Sequence, residues 1–177
     1  MHTSASSDLV STRPKVDATL GAGDIFDVRV FEEPELSGSY RIDSEGVIDY
    51  PMIGRLTVAG KLPGQIVALL VERLSVYVRE PAVSVFVREM NSKRVTVSGQ
   101  VSKPGAFQYA DPMTLSQAIS LAGGFSSMAA RDHVLVSRFD RDKQRIIKID
   151  FRAIAAGRSP NQFILPGDEV YVPERLF

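Results

Sequence analysis

The chain of 177 residues contains no cysteine and only two histidines. The first absence excludes disulfides and cysteine-ligated zinc, although it fixes no cellular compartment. Formal net charge is zero, so no bulk field draws the chain to nucleic acid or to an anionic membrane. No stretch approaches the roughly 18 apolar residues needed to span a bilayer. Residues 1–8 lack both a basic segment and an apolar core, so they do not read as a signal peptide. That leaves a cytoplasmic protein, or one whose export signal has been removed.

What is present has an ordinary globular balance, 44% apolar and 24% charged, at a length suited to one domain or two small ones. The charge is unevenly spread. Residues 17–92 carry 7 Lys/Arg against 12 Asp/Glu, and residues 93–177 carry 12 against 8. Halves of opposite sign can meet head-to-tail between copies, a contact that makes a ring when the rotation closes. Residues 1–16 are rich in Ser and Thr and read as a disordered tail or linker. The organisation expected is therefore a tail (1–16), a first domain (17–92) and a second (93–177).

The fold class expected is α+β. Ile25, Val28 and Val30 with Phe26 and Phe31 form a first strand, broken by Glu32-Glu33-Pro34-Glu35. Tyr40 and Ile42 suggest a second strand, and Gly46 closes a turn into a third containing Ile48 and Tyr50. Leu62, Ile66, Leu69, Leu70, Leu74 and Tyr77 recur at three and four, predicting a helix over 62–78 with Pro63 in its first turn. Val83, Val85 and Val87 alternate with Ser84, Phe86 and Arg88 as a strand. In the second domain Val95 and Val97 mark a strand, and Lys103-Pro104-Gly105 marks a turn. Thr114 with Gln117 forms a capping-box pattern ahead of a helix burying Leu115, Ala118, Ile119 and Ala122. Gly123 and Gly124 end that helix. Strands then hold Val134 and Val136, Ile147 and Ile149, and Val170 and Val172, with a short helix over 151–156.

One short pattern recurs. Leu20-Gly21-Ala22-Gly23-Asp24-Ile25 is echoed by Ile164-Leu165-Pro166-Gly167-Asp168-Glu169-Val170. Each Gly-Asp reads as a strand-entry device, the Gly allowing positive φ and the Asp able to bond a backbone N–H two residues on.

Reactive chemistry is hard to assemble from this sequence. A nucleophilic triad needs an activating histidine, and His2 and His133 stand in no nucleophile elbow or metal-binding helix pattern. Gly21 and Gly23 open a strand and Gly123-Gly124 follows a helix, the wrong polarity for a phosphate cradle. Glu32, Glu33 and Glu35 read as a solvated loop, although a polysaccharide-processing enzyme could use them. Asp140 and Asp142 lack the glycine and distal glutamate of a calcium loop. Arg138, Arg141, Lys143, Arg145 and Lys148 cluster with only Phe139 among them, which fits a solvated hairpin better than a nucleic-acid surface. No catalytic residue, metal site or cofactor is expected, and a binding or scaffold role is.

Ordered motifs carry a resemblance. Ala22-Gly23-Asp24-Ile25-Phe26-Asp27-Val28, Pro34-Glu35-Leu36-Ser37-Gly38, the run from Asp43 through Gly60 and Glu80-Pro81-Ala82-Val83-Ser84-Val85 resemble the export domain of the Wza-like outer-membrane polysaccharide export family. Val97-Ser98-Gly99-Gln100-Val101-Ser102-Lys103-Pro104-Gly105, the run from Thr114 through Gly124 and Leu165-Pro166-Gly167-Asp168-Glu169-Val170-Tyr171-Val172-Pro173 resemble its SLBB domain. The resemblance implies an export domain of mixed sheet with one long helix, followed by a β-grasp SLBB domain. It implies a ring of copies on the outer-membrane side of the periplasm, passing capsule or exopolysaccharide from an inner-membrane co-polymerase, often a tyrosine kinase. Larger members add a lipidated cysteine and a C-terminal amphipathic pore helix. Neither is found here, so a separate outer-membrane pore protein is expected to complete the conduit. Tyr40 and Arg41 are the lumen or gate candidates on the same ground. Gly23, Asp24, Gly46, Gly105, Gly123, Gly124, Gly167 and Asp168 are structural turn residues. A sugar or small-molecule sensor using the β-grasp domain is the alternative.

Overall fold

The computed structural model describes residues 16–140 and 142–176. The expected tail thus lies outside the described residues except for Val16, as do His2 and Arg141. The chain divides into two compact units, residues 17–93 and residues 94–176 together with Val16. Both are α+β. No helix among the described residues is long and apolar enough to cross a membrane.

The first unit runs β1 (Ile25–Val30), β2 (Gly38–Arg41), β3 (Val47–Tyr50), β4 (Gly54–Thr57), α1 (Pro63–Leu74) and β5 (Val83–Glu89). Alternation along β1 sends Phe26, Val28 and Val30 into the core and Ile25, Asp27 and Arg29 to the other face. Its neighbours pair in the order β2-β1-β5, while β3 and β4 form a separate ribbon that adds Ile48, Tyr50 and Leu56 to the same core. The sheet of this unit was expected to be mixed. Its pairings are instead antiparallel. The link over 31–37 is too short for a parallel crossover, which takes a dozen or more residues. Helix α1 buries Ile66, Leu70 and Leu74 completely. It stops at Leu74, short of the expected 78, because the next stripe positions bury little. Leu62 at one end and Tyr77 at the other are exposed, and of residues 75–78 it is Val78 that packs against the core, only partly buried.

The second unit runs β6 (Arg94–Gly99), β7 (Gly105–Gln108), β8 (Met113–Thr114), α2 (Leu115–Leu121), β9 (Val134–Asp140), β10 (Lys143–Ile149), α3 (Phe151–Ala155), β11 (Phe163–Ile164) and β12 (Glu169–Val172). Five strands pair in the order β10-β9-β12-β6-β7. The parallel pairing of the molecule lies here, β12 beside β6 with Val170 opposite Val97, because the long intervening segment contains α2. The two-stranded β8–β11 ribbon escapes sequence reading, since two-residue strands carry no period. Helix α2 opens on the expected box, with the Thr114 N–H donating to Gln117 Oε1 at 2.8 Å, and buries Leu115, Ala118 and Ile119. Its end is a Schellman motif, the Gly124 N–H donating to the Ile119 carbonyl and the Gly123 N–H to the Ser120 carbonyl. Gly46 closes its turn on Asp43. Gly105, expected in a turn, is instead the first residue of β7, opposite Val97 and outside the left-handed region. Gly99 is held tightly: at φ +84, a Cβ there would sit 2.1 Å from the Val172 carbonyl oxygen.

Candidate functional site

The two Gly-Asp segments fold alike. In each, a type II turn places glycine at φ +87 (Gly23, Gly167), and the Asp amide closes on the carbonyl three residues back, Gly21 or Leu165, at 3.1 Å. The carboxylate also reaches back three residues rather than forward two. Asp24 Oδ2 accepts from the Gly21 N–H and Asp168 Oδ2 from the Leu165 N–H, both at 2.8 Å. They are the buried acidic residues among the described ones. Their remaining partners differ. Ser92 gives Asp24 its backbone N–H (2.6 Å) and hydroxyl (2.7 Å), whereas Arg138 grips Asp168 through Nε (3.0 Å) and Nη2 (2.7 Å). The clustering of basic residues in the sequence places Arg138 in a solvated hairpin, and the structure differs. Arg138 falls on the inward parity of β9 with Val134 and Val136, and that position requires a buried partner.

The two gate candidates point apart. Tyr40 packs inward, its ring 5.1 Å from Tyr50 and 6.2 Å from Phe26, and burial pushes its phenol up. Arg41, next along β2, is exposed on the outer face.

That outer face holds the chemistry that the strand periods did not single out. Phe86 on β5 lies opposite Asp27 on β1, which lies opposite Ser39 on β2. Phe86 is 55% exposed, and the Arg29 guanidinium sits 5.6 Å from its ring centroid. A bulge at the Ile25/Phe26 step accompanies Arg88, whose Nη2 donates to Asp27 Oδ2 at 2.7 Å. The Ser39 hydroxyl, and after it Arg88, hold the Asp27 carboxyl below the usual range. At the end of this face an open groove of about 680 Å³ is bordered by Arg29, Phe31, Glu32, Glu33 and Ser84. Phe31 is 73% exposed. The signal was available in the sequence: an aromatic residue on the polar parity of an amphipathic strand.

Elsewhere, His133 Nδ1 lies 2.9 Å from Asp132 Oδ1 at half-exposed surface, paired with a carboxylate and not with a nucleophile. Among the described residues no group of three or more His, Cys, Asp or Glu could hold a metal ion. The outer face is suited to non-covalent contact, through rings, a guanidinium fork and carboxylate acceptors.

Two family profiles match the chain, one described as "Polysaccharide biosynthesis/export protein" over residues 12–88 and one as "SLBB domain" over residues 94–150. Among curated proteins, the chain is similar to the EPS I polysaccharide export outer membrane protein EpsA of Ralstonia nicotianae, at 34% identity over 62% of this chain and 29% of that protein. It is similar to EpsA of Ralstonia solanacearum at 29% identity, over 60% and 35%. It is also similar to the exopolysaccharide production protein ExoF of Rhizobium meliloti at 31%, over 58% and 26%. The chain spans about a third or less of the length of these relatives.

Proposed function

From a chain that belongs to the polysaccharide biosynthesis/export family, with an export domain followed by an SLBB domain, we infer a non-enzymatic component of an exopolysaccharide export machine in the cell envelope. The observation that carries this is the succession of the two domain types along one chain. Copies assemble side by side in a ring on the outer-membrane side of the periplasm, and the glycan passes through its hydrated lumen unchanged. Contacts that are individually weak suit a sliding polymer, because tight binding would stall it. The acidic first unit of one copy meets the basic second unit of the next. The partners are an inner-membrane co-polymerase, of the tyrosine-kinase kind, and an outer-membrane pore protein.

Deletion of the gene in its native host tests the export role. Loss of surface and secreted polysaccharide, restored by the gene in trans, is expected. Normal polysaccharide in a host with no second copy of the gene would sink the assignment.

A further inference from the structure

We propose that the outer face of the β2-β1-β5 sheet, with the groove at its end, is a binding track for uncharged pyranose residues of the passing glycan. Phe86 is its platform, and Arg29, Ser84 and the Asp27–Arg88 pair are its hydroxyl-binding groups. This rests on the export role and goes beyond it by assigning the contact surface.

Three features converge. First, burying a Phe side chain stabilises a fold by roughly 1.5–3 kcal/mol, yet this sheet leaves Phe86 and Phe31 largely in water. Phe86 is in register with polar neighbours, Asp27 beside it and the Arg29–Ser84 pair one step along. Second, a pyranose ring offers a C–H-rich face edged by hydroxyls. A flat aromatic ring matches the face, while a guanidinium fork and a carboxylate match donor and acceptor hydroxyls at its edge. The row Ser39–Asp27–Phe86, flanked by Arg29 and Arg88, provides all three within one sheet face. Third, the groove that continues this face has a volume of about 680 Å³, within the roughly 300–1,000 Å³ usual for ligand clefts.

Charge selects the sugar. Glu32 and Glu33 edge the groove, and residues 17–92 carry 12 acidic against 7 basic side chains. Carboxylated residues are repelled from the groove; on the face beside it Arg29 lies over a ring and Arg88 pairs with Asp27, and the exposed Arg41 stands at the far end of β2, opposite Ile25.

The test titrates hexasaccharides cut from the host's exopolysaccharide into the ¹⁵N-labelled full chain. One sample is native and one has its carboxyl groups reduced to alcohols. Amide shifts confined to β1, β2, β5 and the 31–37 link are expected, with the reduced sample binding at least as tightly as the native one. Phe86→Ala should weaken binding about tenfold or more, Phe86→Tyr should restore it, and Phe139→Ala, a somewhat more exposed ring in the second unit, should change nothing. Shifts confined to the second unit, tighter binding of the carboxylated sample, or no shifts at millimolar sugar would each overturn the track. So would a Phe86→Ala effect on oligomeric state alone, which would make the face a contact between copies. Complementation separates the two claims. If the wild-type gene fails to rescue the deletion strain, the export role itself fails. If the wild-type gene and an Arg29→Ala/Phe86→Ala variant rescue equally, only the track fails.

Discussion

Tyr50 is buried with its hydroxyl donating to the Leu36 carbonyl at 2.5 Å, and burial, with Tyr40 nearby, pushes its phenol up to about 12. The unfolded chain releases that proton near 10. The folded state therefore holds a proton that the unfolded state has lost, and stability present below pH 10 is withdrawn as the pH rises toward 12. At about 1.4 kcal/mol per pKa unit, the loss is on the order of 2–3 kcal/mol. Tyr50→Phe should cost about 1–2 kcal/mol at neutral pH, by leaving the Leu36 carbonyl without its donor, and should flatten the alkaline decline. Urea midpoints across pH 9–12 check this; an equally steep decline in the variant would refute it. Arg138 supplies a second case. Its removal leaves the Asp168 carboxylate, 1% exposed, without its cation. Arg138→Ala is expected to cost about 3 kcal/mol, more than the roughly 1–2 kcal/mol of Ser92→Ala, which removes one neutral donor from Asp24. Equal midpoints for the two variants in urea would contradict this. Both aspartates were visible in the sequence as a repeat. Their partners were not, because Ser92, in the turn after β5, and Arg138, on β9, come from parts of the chain distant from each aspartate, and only the inward parity of Arg138 hinted at its role.

Strands and helices with several residues on one face were legible where burial is one-sided. The capping box at Thr114, the α2 face and the Val134–Val136 strand follow from spacing because each buries a single stripe. Three features did not follow. Helix α1 ends early because Tyr77 is exposed and Val78 meets the core only in part. The β8–β11 ribbon is too short to show a period. The pairing of β12 with β6 depends on where a distant segment returns. Gly99 is the close approach that makes this return possible. Gly99→Ala adds a Cβ 2.1 Å from the Val172 oxygen at a φ of +84, which forces the two strands apart. A loss exceeding about 3 kcal/mol is expected, together with fast hydrogen exchange of the Gln100 amide, which bonds the Val172 carbonyl at 2.8 Å. Retained protection of that amide would show that the strands absorb the side chain.

For the whole chain, sequence periods give two α+β units, and it is the order of motifs that carries the resemblance to the export family. Of the two lumen or gate candidates that the resemblance implies, Tyr40 lies inward, whereas Arg41 shares its face with Asp27 and Phe86. The uneven charge, acidic over 17–92 and basic over 93–177, makes its own claim on assembly. If copies join through opposite units, oligomers seen by light scattering at about 0.1 M salt should dissociate near 1 M, where the Debye length falls to about 3 Å. Oligomers unmoved by salt would remove the electrostatic part and leave the export role standing.

The placement of β12 in mid-sheet, between β9 and β6, also governs the order in which this protein can fold as its chain emerges, from the ribosome or from a translocation pore. Residues 17–93 contain every strand of their own sheet and can close it as soon as β5 has emerged. The second sheet has a gap at its centre until Val172 has emerged. Until then β6 and β9 lack their shared neighbour, and the apolar face they carry has no complete core to enter. A stalled or truncated product ending before residue 169 would thus keep its first unit intact and expose the second to aggregation and proteolysis, a built-in mark of an unfinished chain.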